Sequence, residues 1–240
     1  MTSCFEVSDG IAYLTASIIG ANHRALLLPN QDHAKYKYST DSFMLVVSDG
    51  VGSCSKSELG SEYACAAAVE VFDELLDEKL EYDFDCILPA LIYKWRDRIG
   101  DDNPDDYCAT MKIAIKHEGI IKLISLGDGE LIVSSAGNRV KAPNEHEFFS
   151  NITHCLNNQT AAADFWTKDF RLDIQTDYVV MACSDGVSNG MEHGTELDFA
   201  EEIEKNISID ELENEIKHFL QSLENSSFDD KTIGVIKYGR

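Results

Sequence analysis

Apolar positions along the 240-residue chain fall into two rhythms. Residues 11–19 are apolar and β-branched, and residues 43–47 form a continuous apolar run of strand length. Between 57 and 79, Ala64, Ala67, Ala68, Val71 and Leu75 recur at helical spacing, a face of small residues suited to close packing on a sheet. A second helix is predicted over 84–99, with Ile87, Leu88, Leu91, Ile92 and Trp95 on one side, and the acidic stretch 101–106 breaks it. Strands follow at 111–116, 120–126 and 130–134, with Gly119 and Gly127-Asp128-Gly129 placed as hairpin turns. Residues 137–177 have no clean period and read as loops and short elements. A buried strand is predicted at 178–183 and a short helix at 196–205. Ser208 and Glu211 have capping-box spacing and open a helix whose apolar face is Leu212, Ile216, Phe219 and Leu223. The last strand covers 232–238.

Strands and helices come in blocks, and no linker-like stretch divides the chain. That pattern predicts an α+β fold with antiparallel sheets, helices on their outer faces, and a single domain over 1–240. Hydrophobic residues at 44% supply a core, which argues against disorder. The formal charge of -23 repels nucleic acid and anionic membranes and favours cations or basic peptides as partners. The first ten residues lack a basic region, and no apolar run nears the roughly 18 residues of a membrane span. A cytoplasmic protein is expected. Seven cysteines are scattered without a C-x-x-C pair and read as reduced thiols, mostly small buried hydrophobes rather than a zinc knuckle or redox motif.

Composition leaves the chemistry open, and four acids narrow it. Asp49-Gly50, Asp128-Gly129 and Asp185-Gly186 each follow an apolar strand candidate, and Asp229-Asp230 precedes one. One Asp-Gly pair alone is a hairpin turn signal. Recurrence after similar strands is different: in a sandwich, neighbouring strand ends would gather the carboxylates at one edge. Clustered carboxylates repel unless a cation offsets them. Oxygen ligands without Cys or His spacing select Mg²⁺ or Mn²⁺. The glycine after Asp49, Asp128 and Asp185 lets a carbonyl turn in as a further ligand.

These residues resemble the metal-dependent serine/threonine protein phosphatases of type 2C, and most of all their compact bacterial branch. Gly20-Ala-Asn-His23 and Pro29-Asn-Gln-Asp32 look like the family's first motif. Ser48-Asp-Gly-Val-Gly52, Cys108-Ala-Thr110, Leu126-Gly-Asp-Gly129, Asn151-Ile-Thr153, Ser184-Asp-Gly186 and Asp229-Asp-Lys-Thr232 follow in the family's order. The resemblance implies a central antiparallel β-sandwich flanked by helices on both faces, with two Mg²⁺ or Mn²⁺ ions at one end. Asp49 would bridge both ions, the Gly50 carbonyl would ligate one, and Asp185 and Asp229 would hold the other. Asp32 would stand in the outer shell, and Asp128 matches a position that helps to hold a third ion. The implied reaction is attack of a metal-bridged hydroxide on a phosphoserine or phosphothreonine. The implied partners are a phosphorylated protein, with basic flanking residues favoured by the chain's charge, and a cognate protein kinase.

Four positions depart from the family's pattern. Gln31 and Asn189 stand where many members carry acids, Leu27 where many carry a phosphate-gripping arginine, and Val51 where eukaryotic members carry a histidine. His23 and His33 are the candidates to take over the missing roles, His23 as the catalytic one. The departures also motivate two alternatives: a phosphatase-fold binding or regulatory module with little turnover, and an acidic scaffold whose Asp-Gly pairs are only turns.

Overall fold

A sheet that is apolar on both faces must be covered twice, once by another sheet and once by helices. The computed structural model, which describes residues 1–143, 154–173 and 176–239, has this arrangement. The strands are β1 (Thr2–Ser8), β2 (Ile11–Ile18), β3 (Asp32–Ser39), β4 (Ser42–Asp49), β5 (Met111–His117), β6 (Ile120–Leu126), β7 (Glu130–Ser135), β8 (Asn138–Lys141), β9 (Trp166–Arg171), β10 (Tyr178–Cys183) and β11 (Lys231–Tyr238). The helices are α1 (Ala21–Leu26), α2 (Ser57–Leu76), α3 (Phe84–Ile99), α4 (Asp185–Ser188), α5 (Glu196–Asn206) and α6 (Ile209–Ser222). One sheet has the order β1-β2-β11-β10-β7-β8 and the other β3-β4-β5-β6-β9, with every pairing antiparallel.

Side-chain alternation along the strands distributes the core into three layers. On β4, Phe43, Leu45 and Val47 join Tyr13, Val133, Val180 and Ile236 between the sheets. Met44 and Val46 point the other way, onto Ala64, Ala68, Val71 and Trp95 of α2 and α3. The opposite sheet sends Leu14, Val179, Met181 and Val235 onto Ala200, Ile203, Leu212 and Ile216 of α5 and α6. The continuous apolar runs in the sequence are therefore strands buried on both faces. The capping box at Ser208 forms: its side chain and that of Glu211 satisfy each other's backbone N–H. Beyond the face expected for α6, Leu220 is also buried, while Phe219 stacks on Phe199 at 4.2 Å.

One expectation is overturned. Gly127-Asp128-Gly129 is not a hairpin turn, because β6 and β7 belong to different sheets. The segment carries the chain from one layer to the other, with Gly127 at φ +84° and Gly129 at φ +85°. A side chain on Gly129 would collide with the Cys183 carbonyl at 2.4 Å, so the crossing lies flat against the end of β10. The Glu118-Gly119 turn does close a hairpin, β5–β6. Asn151-Ile-Thr153 and Phe148-Phe149 lie outside the described residues. Among the described residues, no helix is long and apolar enough to cross a membrane.

The small-residue face of α2 has a specific consequence. A Cβ on Gly60 would fall 1.9 Å from the Tyr107 carbonyl oxygen, and the Gly60 carbonyl accepts the indole N–H of Trp95 at 3.1 Å. Gly60→Ala must push α2 away from both neighbours and should lower stability by about 2 kcal/mol. Gly52→Ala, whose Cβ would lie 3.6 Å from Gln31 Oε1, is the matched control and should cost less than about 1 kcal/mol. Urea denaturation of the two variants makes the comparison, and equal losses would contradict the close approach.

Candidate metal centre

The antiparallel pairings put a defined set of strand ends at one end of the sandwich. In the five-stranded sheet, Asp32 at the start of β3 is the register partner of Asp49 at the end of β4. Met111, at the start of β5, pairs with Leu126 at the end of β6. In the other sheet, the end of β10 at Cys183 pairs with the starts of β7 and β11. Asp128, Asp185 and Asp229 flank those ends, so all four aspartate motifs reach the same edge.

Asp49, Asp32 and Asp185 come close enough to perturb one another. Burial pushes the Asp49 carboxyl well above its ordinary range, and the charges of Asp32 and Asp185 push it further. Asp32 is pushed up to about 7 from 3.8, chiefly by burial, although Asp49 and Ser184 hydrogen bonds oppose the rise. Ser184 donates to Asp32 Oδ2 at 2.7 Å across the gap between the sheets, and the Asn30 side chain accepts from the Asp32 N–H at 2.9 Å. Asp32 Oδ1 is buried without a hydrogen-bond donor. Thr110 holds Asp49 twice, its hydroxyl accepting from the Asp49 N–H at 3.0 Å and its N–H donating to the Asp49 carbonyl at 2.8 Å.

The other expected ligands lie around this core. Bonds from Thr110 to Asp49 and from Val51 to Cys108 flank the bridge of Gly50 to Ala109, which turns Gly50's own N–H and carbonyl away from Ala109. The Gly50 N–H goes to the Gln31 carbonyl at 3.1 Å. Asp229 is exposed, and its Cβ sits 3.3 Å from where a Cβ on Gly186 would be, beside Asp185. Asp128 rides on the crossing that Gly129 presses against Cys183 and Asp185. Asn189 donates to Asp185 Oδ2 at 3.2 Å, so its amide steadies Asp185 and presents no charge of its own.

Among the described residues, no three His, Cys, Asp or Glu side chains converge as a ready-made metal cage. The expected donor set is sparse in side chains for each ion, since a carbonyl and water complete it. The residues nevertheless fit a hard divalent cation. Every donor is an oxygen, Asp32 and Asp49 are destabilised as anions, and Asp32 Oδ1 is buried without a donor.

Asp230, the second acid of the Asp229-Asp230 pair, organises the rim. Its buried carboxylate accepts from the Gly20 N–H at 2.6 Å, the Gln31 N–H at 2.7 Å and His23 Nδ1 at 2.8 Å. It thereby pins both ends of the 20–31 loop and orients His23. The sequence signal was the acid pair itself, since adjacent residues at a strand start cannot both face the site. Alternation on β3 turns His33 to the helix side, where Nδ1 meets Ser61 Oγ at 2.9 Å, and burial lowers its pKa. Leu27 is 92% exposed, and Arg24 pairs with Glu224 at 3.2 Å.

The raised carboxyls set the sign of a pH effect. Between the unfolded pKa near 3.8 and the folded value of about 7, native Asp32 binds more proton than the unfolded chain does. Stability in chelator should therefore fall as pH rises from 4 to 7. Asp32→Asn should flatten that fall, and saturating Mn²⁺ should reverse it in the wild type by binding the ionised form. Melting temperatures at pH 5 and 8 test this, and parallel slopes for wild type and Asp32→Asn would contradict the assignment.

The sequence profile of protein phosphatase 2C matches residues 19–221. No curated protein sequence matches the chain. Among solved structures, RsbX in complex with magnesium superposes with a TM-score of 0.67 at 16% identity, covering 99% of this chain and 100% of that one. The catalytic domain of the serine/threonine phosphatase PstP with two manganese ions gives 0.67 at 15% identity, covering 95% and 99%. The phosphatase domain of SpoIIE from Bacillus subtilis gives 0.56 at 13%, covering 95% and 91%. At these identities the superpositions establish a shared fold, and the profile match establishes descent: the chain belongs to the protein phosphatase 2C family.

Proposed function

We propose that the protein hydrolyses phosphoserine or phosphothreonine in a protein substrate and requires Mg²⁺ or Mn²⁺. The observation that carries this is the meeting of Asp32, Asp49 and Asp185 at one sandwich end, with Asp229 beside them. The magnesium of RsbX and the manganese of PstP support the choice of ion. Such ions, when bound, acidify water and offset charge on phosphoryl oxygens. Asp49, the Gly50 carbonyl, Asp185 and Asp229 would hold two of them, and Asp128 a third.

The chain's own groups then divide the work. Asp32, held by Ser184 and Asn30, sets its charge against Asp49 and so favours a cation there. His23, held by Asp230 through Nδ1, keeps Nε2 for a proton to the departing serine or threonine oxygen. Leu27 lends no charge to the phosphate, and Arg24 is engaged with Glu224. A charge of -23 leaves the long-range field favouring substrates with basic flanks.

The test is phosphopeptide hydrolysis with Mn²⁺, with Mg²⁺ and with EDTA, using peptides with Lys/Arg or Asp/Glu flanks at low and high salt. Turnover should need the metal, and the basic peptide should lead by a margin that shrinks with salt. Turnover in EDTA would sink the metal requirement. A preference for the acidic peptide would sink the charge argument. Metal binding without turnover would favour the regulatory-module reading that Leu27, Val51, Gln31 and Asn189 motivate.

A second measurement ranks the ligands. Asp49→Asn should cut kcat about 100-fold or more, while Asp128→Asn stays within about 10-fold. Asp49 is central to the carboxylate cluster, and Asn189 sets an amide rather than an acid against Asp185. Equal losses in the two variants would contradict the ranking.

A further inference from the structure

Three cysteines that are remote in sequence meet beside the carboxylate cluster. Cys54 lies in the loop that follows Asp49-Gly50, and its N–H donates to the Val51 carbonyl at 2.8 Å. Val51 in turn donates to the Cys108 carbonyl at 2.9 Å. On the other side, Leu156 donates to the Ala109 carbonyl at 2.8 Å, which seats Cys155 next to the same segment. Cys108 is thus the middle of the group: Cys54 and Cys155 lie close enough to bear on its thiol, which donates to the Asp105 carbonyl at 3.3 Å. All three are free thiols, Cys108 buried and the other two partly exposed. Burial raises the pKa of Cys108 and of Cys155 and keeps both protonated at neutral pH. The group does not make a metal cage among the described residues. Backbone hydrogen bonds running from Cys54 through Val51 to Cys108 hold the two thiols in neighbouring segments, and this is not the packing role expected of scattered cysteines.

We infer that Cys54 and Cys108 are an oxidisable pair that closes to an intramolecular disulfide when the protein meets a peroxide. Cys54, on the exposed loop, reacts first. Its thiolate sulfur attacks one peroxide oxygen, the O–O bond breaks, and hydroxide leaves a sulfenic acid behind. The Cys108 sulfur then attacks the Cys54 sulfur, the S–S bond forms, the S–O bond breaks, and the Cys108 proton leaves with the departing hydroxide as water. Two thiols and one hydrogen peroxide give one disulfide and two waters. The new bond ties together the two segments on either side of the Gly50–Ala109 bridge and closes a loop that contains α2 and α3. It is a modification site independent of the phosphatase reading, because its detection needs no turnover.

The experiment treats the full chain with stoichiometric hydrogen peroxide, counts free thiols, and maps linked peptides by mass spectrometry without reduction. The expected result is the loss of two thiols per chain, a Cys54–Cys108 peptide, and a melting temperature raised by about 4 °C or more that dithiothreitol returns to its starting value. Cys54→Ser should prevent the bond and the shift, while Cys86→Ser should leave both intact. Cys54 is partly exposed, so this variant folds without a buried vacancy. Retention of all thiols in the wild type overturns the inference. So does a disulfide that omits Cys108, one that joins Cys108 to Cys155 instead, or one that links two molecules.

Discussion

Repulsion among carboxylates held in one place by the ends of two packed sheets governs this molecule. Asp32 and Asp49 are fixed by the β3–β4 register, and Asp185 arrives from the opposite sheet at the end of β10. Neither sheet can relieve the crowding alone, because the strand ends are locked by layers of Phe43, Leu45, Val133, Val180 and Ile236 packed between them. The packing that drives folding thus sustains an unfavourable electrostatic arrangement, as expected where a cation is to be bound. Ser184 to Asp32 is a direct polar link across the gap.

A second acid uses the same chemistry for the opposite purpose. Asp230 is as deeply buried as Asp32, yet its carboxylate is satisfied by two backbone N–H groups and a histidine. It anchors the 20–31 loop to β11, and Gln31 passes that anchorage to Gly50 through its carbonyl. The hydrogen bonds therefore run in a chain from Asp230 to Gln31 to Gly50, and changes at the loop should be felt at the carboxylates. Buried lysines do similar work in the interior. Lys112 donates to Ser125 and to the Gly127 carbonyl, which steadies the crossing that carries Asp128, and Lys231 donates to the carbonyls of Ser227 and Asp229.

Most of this fold was legible in the sequence, and the exceptions share a cause. The strands read from apolar runs are the interior strands β2, β4, β5, β6, β7, β10 and β11, while β1, β3, β8 and β9 are the edges of the two sheets and were missed. An edge strand has one partner and a solvated side, so β1 is almost wholly exposed and β3 mixes Lys35 and Lys37 with Tyr36 and Tyr38. The Gly127–Gly129 crossing is ambiguous in the sequence for a related reason, since glycines at positive φ serve hairpins and layer crossings alike. At the site, the acids were visible because Asp-Gly recurs after buried strands. Thr110, Ser184 and Asp230 acquire their roles only through contacts between segments far apart in sequence, as do the three thiols around Cys108.

The central claim is that the carboxylates around Asp49 are a cation site formed where the two sheets end. Crystals of the protein grown with Mn²⁺ and measured at the manganese absorption edge test it most directly. The account predicts two anomalous peaks at coordination distance from the Asp49 carboxylate, with Asp185 and Asp229 on one of them. Clear density for Asp49 with no anomalous peak within coordination distance at millimolar Mn²⁺ would contradict it.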